Sequence, residues 1–349
     1  MKKRIICLIC ILLFAALSLA PLSACSKKDD GKIKVVCTIF PVYDWAMNVI
    51  GDRKDDYSVT LLQDSGADLH SYQPTVADLA AIAQADVFVY VGGESDEWVE
   101  DALRSVKNKN MVALDLLSIL GDKAFVEEIV EGMQHDHDHD HEDEDHDHDH
   151  EDEDHDHEGE DHDHDHEEEE ELDEHVWLSL KNAEIYTQAI ANALSSADEA
   201  GKESYQENAT KYIASLQELD LAYAEAVRAA SRDTLLFGDR FPFRYLVSDY
   251  GLKYYAAFVG CSAESNASFE TIHFLATKVD ELAIKVILKI ENSKSDIAEG
   301  IKNASTAKNQ KIMVLDSLQS ANKKEYASGR NYLSVMESNL EVLKAALAA

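Results

Sequence analysis

The chain has 349 residues, 45% of them hydrophobic, which suits one or two ordinary globular domains. Its formal net charge is -36, from 68 acids against 32 bases, and no run of Lys or Arg is available to neutralise phosphates, which argues against nucleic-acid binding. The charge is unevenly spread. Residues 134–174 hold 26 acids and no base, so the remainder carries a net charge of only about -10.

The N-terminus reads as a targeting signal. Met1-Lys2-Lys3-Arg4 is basic, residues 5–20 are apolar and uncharged, and Leu22-Ser23-Ala24-Cys25 has the small residues before a cysteine of a bacterial lipobox. This resembles a lipoprotein signal, with residues 1–24 removed and a lipid on Cys25. The mature chain is then expected to be tethered through residues 25–31 to the extracytoplasmic face of the cell membrane. Cys7 and Cys10 leave with the signal, so Cys37 and Cys261 are the thiols that remain and could pair. No later apolar run approaches the roughly 20 residues of a membrane-spanning helix.

Residues 32–40 read as a buried strand stopped by Pro41, with helical spacing over 42–50 and a second strand at 57–62. Pro74 and Thr75 suit a helix start, and Val76, Leu79, Ala80, Ile82 and Ala83 supply its apolar face. His70 then lies on a strand-to-helix loop, where open α/β sheets place their binding residues. Strands at 86–91 and 111–114 flank a helix near 96–105. This alternation predicts a parallel sheet covered on both faces.

Residues 134–174 interrupt that lobe. They carry His135, His137, His139, His141, His146, His148, His150, His155, His157, His162, His164 and His166, which are 12 of the chain's 15 histidines. With almost nothing apolar to bury, the stretch cannot offset the entropy of ordering itself and is expected to be a disordered insertion. Imidazole favours zinc, nickel and copper, so the loop reads as an auxiliary metal trap with many weak sites. Its binding should fade as pH falls through about 6.5, where His protonates.

The first lobe resumes at residue 173. Helical spacing then runs over 180–196 and over 203–231, the latter without Gly or Pro and long enough at roughly 40 Å to join two lobes. Strands at 234–238, 253–258, 284–290 and 311–315 alternate with helices near 243–250, 268–280, 294–305 and 331–347. The fold class expected is α/β: two (β/α) lobes with parallel sheets (32–199 and 233–349), a long helix between them (200–232) and a site in the cleft.

Outside the insertion the histidines are His70, His175 and His273. His70 and His175 each follow an acidic residue on a predicted loop of the first lobe, whereas His273 sits on a predicted helix and reads as a surface or packing residue. An N/O site of this kind suits Zn(II), with nearby acids as ligands or as partners that orient an imidazole.

The segments GADLHSYQPTVADLAAIAQADVFVYVGG, DEHVWLSLKNA and VLDSLQ, with a final YLSVMESNLEVL, resemble the metal-binding lipoproteins of zinc and manganese ABC importers over essentially the whole mature chain. The resemblance implies two (β/α) lobes clamping one metal, delivery of Zn(II) or another divalent metal to an ABC permease, and a monomer. It implies His70, His175 and Asp316 as ligands. The third ligand departs from the pattern. In Gly238-Asp239-Arg240-Phe241-Pro242-Phe243-Arg244-Tyr245-Leu246, Arg240 stands where the family carries His or Glu, and Arg cannot ligate. Asp239 beside it, Cys261 or Glu264 on the next strand-to-helix loop, or water, are the alternatives. A secreted zinc hydrolase is a competing class, but the chain has no HExxH and no Gly-x-Ser-x-Gly. An adhesin or metal buffer without a permease is a third, and no added binding module marks it. The expected protein is a receptor, not an enzyme.

Overall fold

The computed structural model describes residues 31–66, 68–106, 108–134, 171–262, 266–293 and 296–348. The expected signal sequence, Cys25, the twelve histidines of the acidic insertion and Glu264 lie outside the described residues.

Two four-stranded sheets are present, both parallel and both with the same strand order. In the first, β1 (Ile33–Cys37) lies between β2 (Tyr57–Leu61) and β3 (Val87–Tyr90), and β4 (Val112–Asp115) pairs with β3. In the second, β5 (Thr234–Phe241) lies between β6 (Lys253–Val259) and β7 (Val286–Lys289), and β8 (Lys311–Val314) pairs with β7. The apolar runs behind the expected strands are what such sheets need, because helices cover both faces. A helix of 28 residues, Lys202–Ala229, lies between the sheets in sequence. It turns Tyr205, Ala209, Tyr212, Leu216, Leu219 and Tyr223 inward at helical spacing.

The main apolar core does not stop at the boundary between the sheets. It runs from Val35, Trp45 and Val89 through Trp177, Tyr186 and Tyr223 to Phe237, Leu288 and Leu343. Buried polar atoms lock the same seam. Trp177 Nε1 donates to Ser317 O at 2.8 Å, Tyr332 Oη donates to Trp177 O at 2.7 Å, and Tyr245 Oη donates to Asp173 O at 2.9 Å.

Several local expectations shift. Pro41 does not separate a strand from a later helix. It lies in the first turn of α1 (Phe40–Ile50), where its missing N–H is no loss. Helix α2 (Val76–Ile82) is capped by Thr75, whose hydroxyl accepts from Asp78 N while Asp78 answers Thr75 N. Val76 is 85% exposed rather than on the apolar face, which is carried by Ile82 and, in part, Leu79. Short helices at Leu116–Leu120 and Lys323–Ala327 had no signal long enough to read. Strand β5 runs on through Asp239 and Arg240, which look like a loop in sequence. The register slips by one residue between Phe237 and Arg240, so the strand bulges there. Gly238 lets the helix Ile297–Ala304 pack close against the strand there, because a Cβ would lie 2.6 Å from Ala298 Cα. Among the described residues, no helix is long and apolar enough to cross a membrane.

Candidate metal centre

His70 lies on a single turn of 3₁₀ helix, Leu69–Ser71, just after β2. Asp68 caps that turn by accepting from His70 N at 3.1 Å. His175 precedes a similar turn, Val176–Leu178, and is fully buried. Its ring packs against Trp177 with centroids 5.2 Å apart. The two Nε2 atoms face each other at 3.2 Å.

The opposite nitrogens are held by polar partners. His175 Nδ1 lies 3.0 Å from Asp173 Oδ1, an acceptor, so Nδ1 carries the proton. His70 Nδ1 lies 2.8 Å from Ser95 Oγ and 3.5 Å from Glu174 Oε2. Ser95 Oγ can donate to or accept from His70 Nδ1, so at 3.2 Å the two Nε2 atoms can share one proton in a hydrogen bond, and a cation can take that proton's place. Two imidazoles on a tetrahedral zinc, each at about 2.0–2.1 Å, place their nitrogens about 3.3 Å apart. The observed spacing fits that demand.

Charge is tuned the same way. Burial, the neighbouring His175 and the Arg240 guanidinium outweigh the attraction of Asp68 and hold His70 down at about 3, so it is neutral and free to ligate. Burial also opposes charge on His175, but its hydrogen bond to Asp173 and the charges of Asp173, Glu174 and Glu127 outweigh it and raise its pKa. A charge on His175 disfavours one on His70, so the two imidazoles resist a second proton.

Cys261 comes from the other lobe, after β6. Its donor atom and those of His70 and His175 lie within 4.8 Å of one another. Both Cys37 and Cys261 are free thiols, Cys37 being buried in the first sheet. Burial and the charges of Glu127, Glu174 and Asp173 push the Cys261 thiol well up, so it holds its proton until something displaces it. Gly260 makes the approach possible, because a Cβ there would sit 2.8 Å from His175 Cε1.

The remaining candidates are placed elsewhere or otherwise engaged. Asp239, on the β5 bulge, accepts from Arg240 N at Oδ1 (2.9 Å) and from Ile290 N at Oδ2 (3.3 Å). Asp316 is gripped by Arg330 Nη2 through both oxygens, at 2.9 and 2.8 Å, and also accepts from Leu318 N. Neither carboxylate joins the His70, His175 and Cys261 group. His273 is exposed on helix Phe269–Glu281. A cleft of about 900 Å³ opens beside His70, lined on the far side by Arg240, Asp239 and Glu291. Glu291 is the carboxylate that sequence reasoning missed on that wall. It accepts from Ser317 N at 2.6 Å and from the hydroxyls of Ser317 and Ser320.

Two further residues behind His70 were also missed. Glu174 Oε1 accepts from Ser95 N at 2.7 Å, while its buried Oε2 has no hydrogen-bond partner. Gly93, at φ +78°, leaves the room for it, since a Cβ would lie 2.5 Å from Glu174 Oε1. Two glycines after a strand, Gly92-Gly93, were the readable signal of such a close approach.

Comparison with known proteins gives the family. A family model described as "ZnuA: Zinc-uptake complex component A periplasmic" matches residues 35–346. The chain is 33% identical over 339 residues to the zinc-binding lipoprotein AdcA of Streptococcus pneumoniae, covering 95% of this chain and 60% of that protein. The chain thus spans about 60% of the length of the first curated relatives it matches. It is 30% identical to the high-affinity zinc uptake system protein ZnuA of Bacillus subtilis, covering 97% of this chain and 95% of that one. The crystal structure of the Zn(II)-bound ZnuA-like domain of S. pneumoniae AdcA superimposes with a TM-score of 0.66 at 28% identity, over 91% of this chain and all of that domain. On the extent of the family match and these identities, the chain belongs to the zinc-uptake component A (ZnuA) family.

Proposed function

We propose that this protein is a Zn(II) receptor that captures the ion outside the cell membrane and hands it to an ABC permease. The observation that carries the reading is the pair of imidazoles, His70 and His175, whose Nε2 atoms face each other at 3.2 Å with the Cys261 thiol within reach. Two nitrogens and one sulfur suit zinc better than manganese, which prefers carboxylate and water. The relatives named as zinc-binding and zinc-uptake proteins support the same ion. Cys261 is the ligand from the second lobe. Asp316, expected from the resemblance, would first have to leave Arg330.

The ion is cargo rather than cofactor, and the protein is a monomeric receptor rather than an enzyme. A lipid on Cys25 tethers it, in keeping with the lipobox and with relatives named lipoproteins. The histidine-rich insertion raises the local supply of metal without forming the tight site.

Zinc titration against a competing chelator tests this reading. The wild type is expected to show one tight site and several weak ones. His70→Ala with His175→Ala should remove the tight site and spare the weak ones, and deletion of 135–171 should do the reverse. Retention of the tight site in the double variant would sink the assignment. Zinc-loaded protein should show no turnover of ester or peptide substrates.

A further inference from the structure

The sequence places Arg240 where a third ligand is expected, and the structure shows what it does instead. Its guanidinium reaches across the cleft with two arms. Nη2 donates to Asp68 Oδ2 at 2.5 Å, and Nη1 donates to Ser262 O at 3.3 Å. Asp68 is the residue whose other oxygen caps the turn bearing His70. Ser262 directly follows Cys261. One planar cation therefore ties the turn that carries an imidazole donor in the first lobe to the loop that carries the thiol donor in the second. Both ends are sheltered, with the Arg240 and Asp68 side chains 16% and 25% exposed.

We propose that Arg240 is the positioning residue of the metal site, a two-armed strut that sets the separation of Cys261 from His70 and holds the lobes in register before metal arrives. This rests on the reading of His70, His175 and Cys261 as donors. The bulge in β5 supports it. The bulge leaves Asp239 bound to backbone amides, and Arg240, the next residue, reaches across the cleft. In this chain the residue at the family's ligand place acts on the metal through its neighbours. A lysine would keep the charge but could not hold Asp68 and the Ser262 carbonyl with one rigid fork.

Cobalt(II) is the probe, because a thiolate bound to it gives a charge-transfer absorption band that imidazole does not. The full chain, purified in mild detergent, is compared with Arg240→Gln, Arg240→Lys and Asp68→Asn. The wild type should show the band. Arg240→Gln should weaken zinc binding by about 10–100-fold, as loss of an outer hydrogen-bond partner does. It should also diminish the thiolate band while imidazole ligation persists. Arg240→Lys should fall between the two. Asp68→Asn should reproduce the loss from the opposite lobe, and the double variant should be no worse than the poorer single one. A purely structural role would lower the melting temperature of Arg240→Gln and leave the band of its folded fraction unmoved. An unchanged band and affinity in both Arg240→Gln and Asp68→Asn overturn the inference alone. No band in the wild type overturns the Cys261 assignment and this inference with it.

Discussion

His70 and Cys261 occupy equivalent places in two sheets of identical strand order. Each follows the strand that flanks the first strand of its lobe, β2 in one case and β6 in the other. What surrounds them differs. The first lobe brings two imidazoles with their second nitrogens satisfied by Ser95 and Asp173. The second lobe has carboxylates in plenty, but Asp239 is taken by backbone amides, Asp316 by Arg330 and Glu291 by serines. Among the described candidates of that lobe, the thiol of Cys261 is left to offer. The lesson is that proximity of acids to a cleft does not make ligands. A carboxylate already accepting two or three good hydrogen bonds is oriented by them, and turning it toward a metal costs those bonds.

The comparison breaks first at Cys261. Cys261→Ser should weaken zinc binding by more than the roughly 100-fold that loss of an outer partner costs. The pH dependence carries a clear sign. Burial and nearby acids raise the thiol pKa, so near neutrality zinc must displace a proton from it, and affinity should rise by about tenfold per pH unit between roughly pH 6 and 8. His70, held neutral down to about 3, adds no proton in that window, whereas His175, whose pKa is raised by Asp173, steepens the slope wherever it is still protonated. Titration at several pH values should show the slope fall by one proton in Cys261→Ser. An unaltered slope would mean that the second lobe contributes no thiolate.

A milder change asks whether the second lobe also holds the first lobe's imidazole in place. Gly260→Ala puts a methyl 2.8 Å from His175 Cε1 and 3.0 Å from Phe241 O. Thermal melts should show a loss of about 1–3 kcal/mol from overpacking, and chelator competition a zinc affinity about tenfold weaker. Affinity equal to wild type would show that His175 is held by Asp173 and Trp177 alone.

The smallest effect on metal is expected at Asp316. Asp316→Asn loses a bidentate pair with Arg330, so stability should fall by about 1–3 kcal/mol. Zinc affinity should stay within about threefold of wild type if the two sites are independent. A loss beyond tenfold would mean that Asp316 leaves Arg330 for the metal, and the asymmetry between the lobes would disappear on loading.

Much of this was legible in the chain. Continuous apolar runs such as Val87-Phe88-Val89-Tyr90 can only be buried strands, and the long Gly-free stretch can only be a helix. His70 and His175 stood out because acids precede each of them and only three histidines lie outside the insertion. What stayed hidden depends on distance in space. Asp239 and Cys261 are both polar residues near the end of a strand of the second sheet, and sequence left them as open alternatives. A one-residue bulge at Gly238 leaves Asp239 on backbone amides, while a small residue at Gly260 lets the Cys261 loop close on His175. Ser95 and Glu174 were missed because nothing in their own sequence ties them to His70, which lies 25 and 104 residues away in the chain. Val76 was misplaced because a seven-residue helix has too few turns to fix which way its first residue points.

The seam at Trp177 and Tyr332 has a bearing on how the molecule comes apart. Its apolar core is continuous from Val35 to Leu343, and the tyrosines that cross it give their hydroxyls to backbone carbonyls of distant segments. Two sheets that look separable on a topology diagram therefore share one cooperative unit. Neither half retains its own complete interior when the other is lost, since Trp45 would lose Tyr332 and Trp177 would lose the carbonyl of Ser317. Melting should be a single event for the whole fold, and dissection into halves should yield chains without a stable native state.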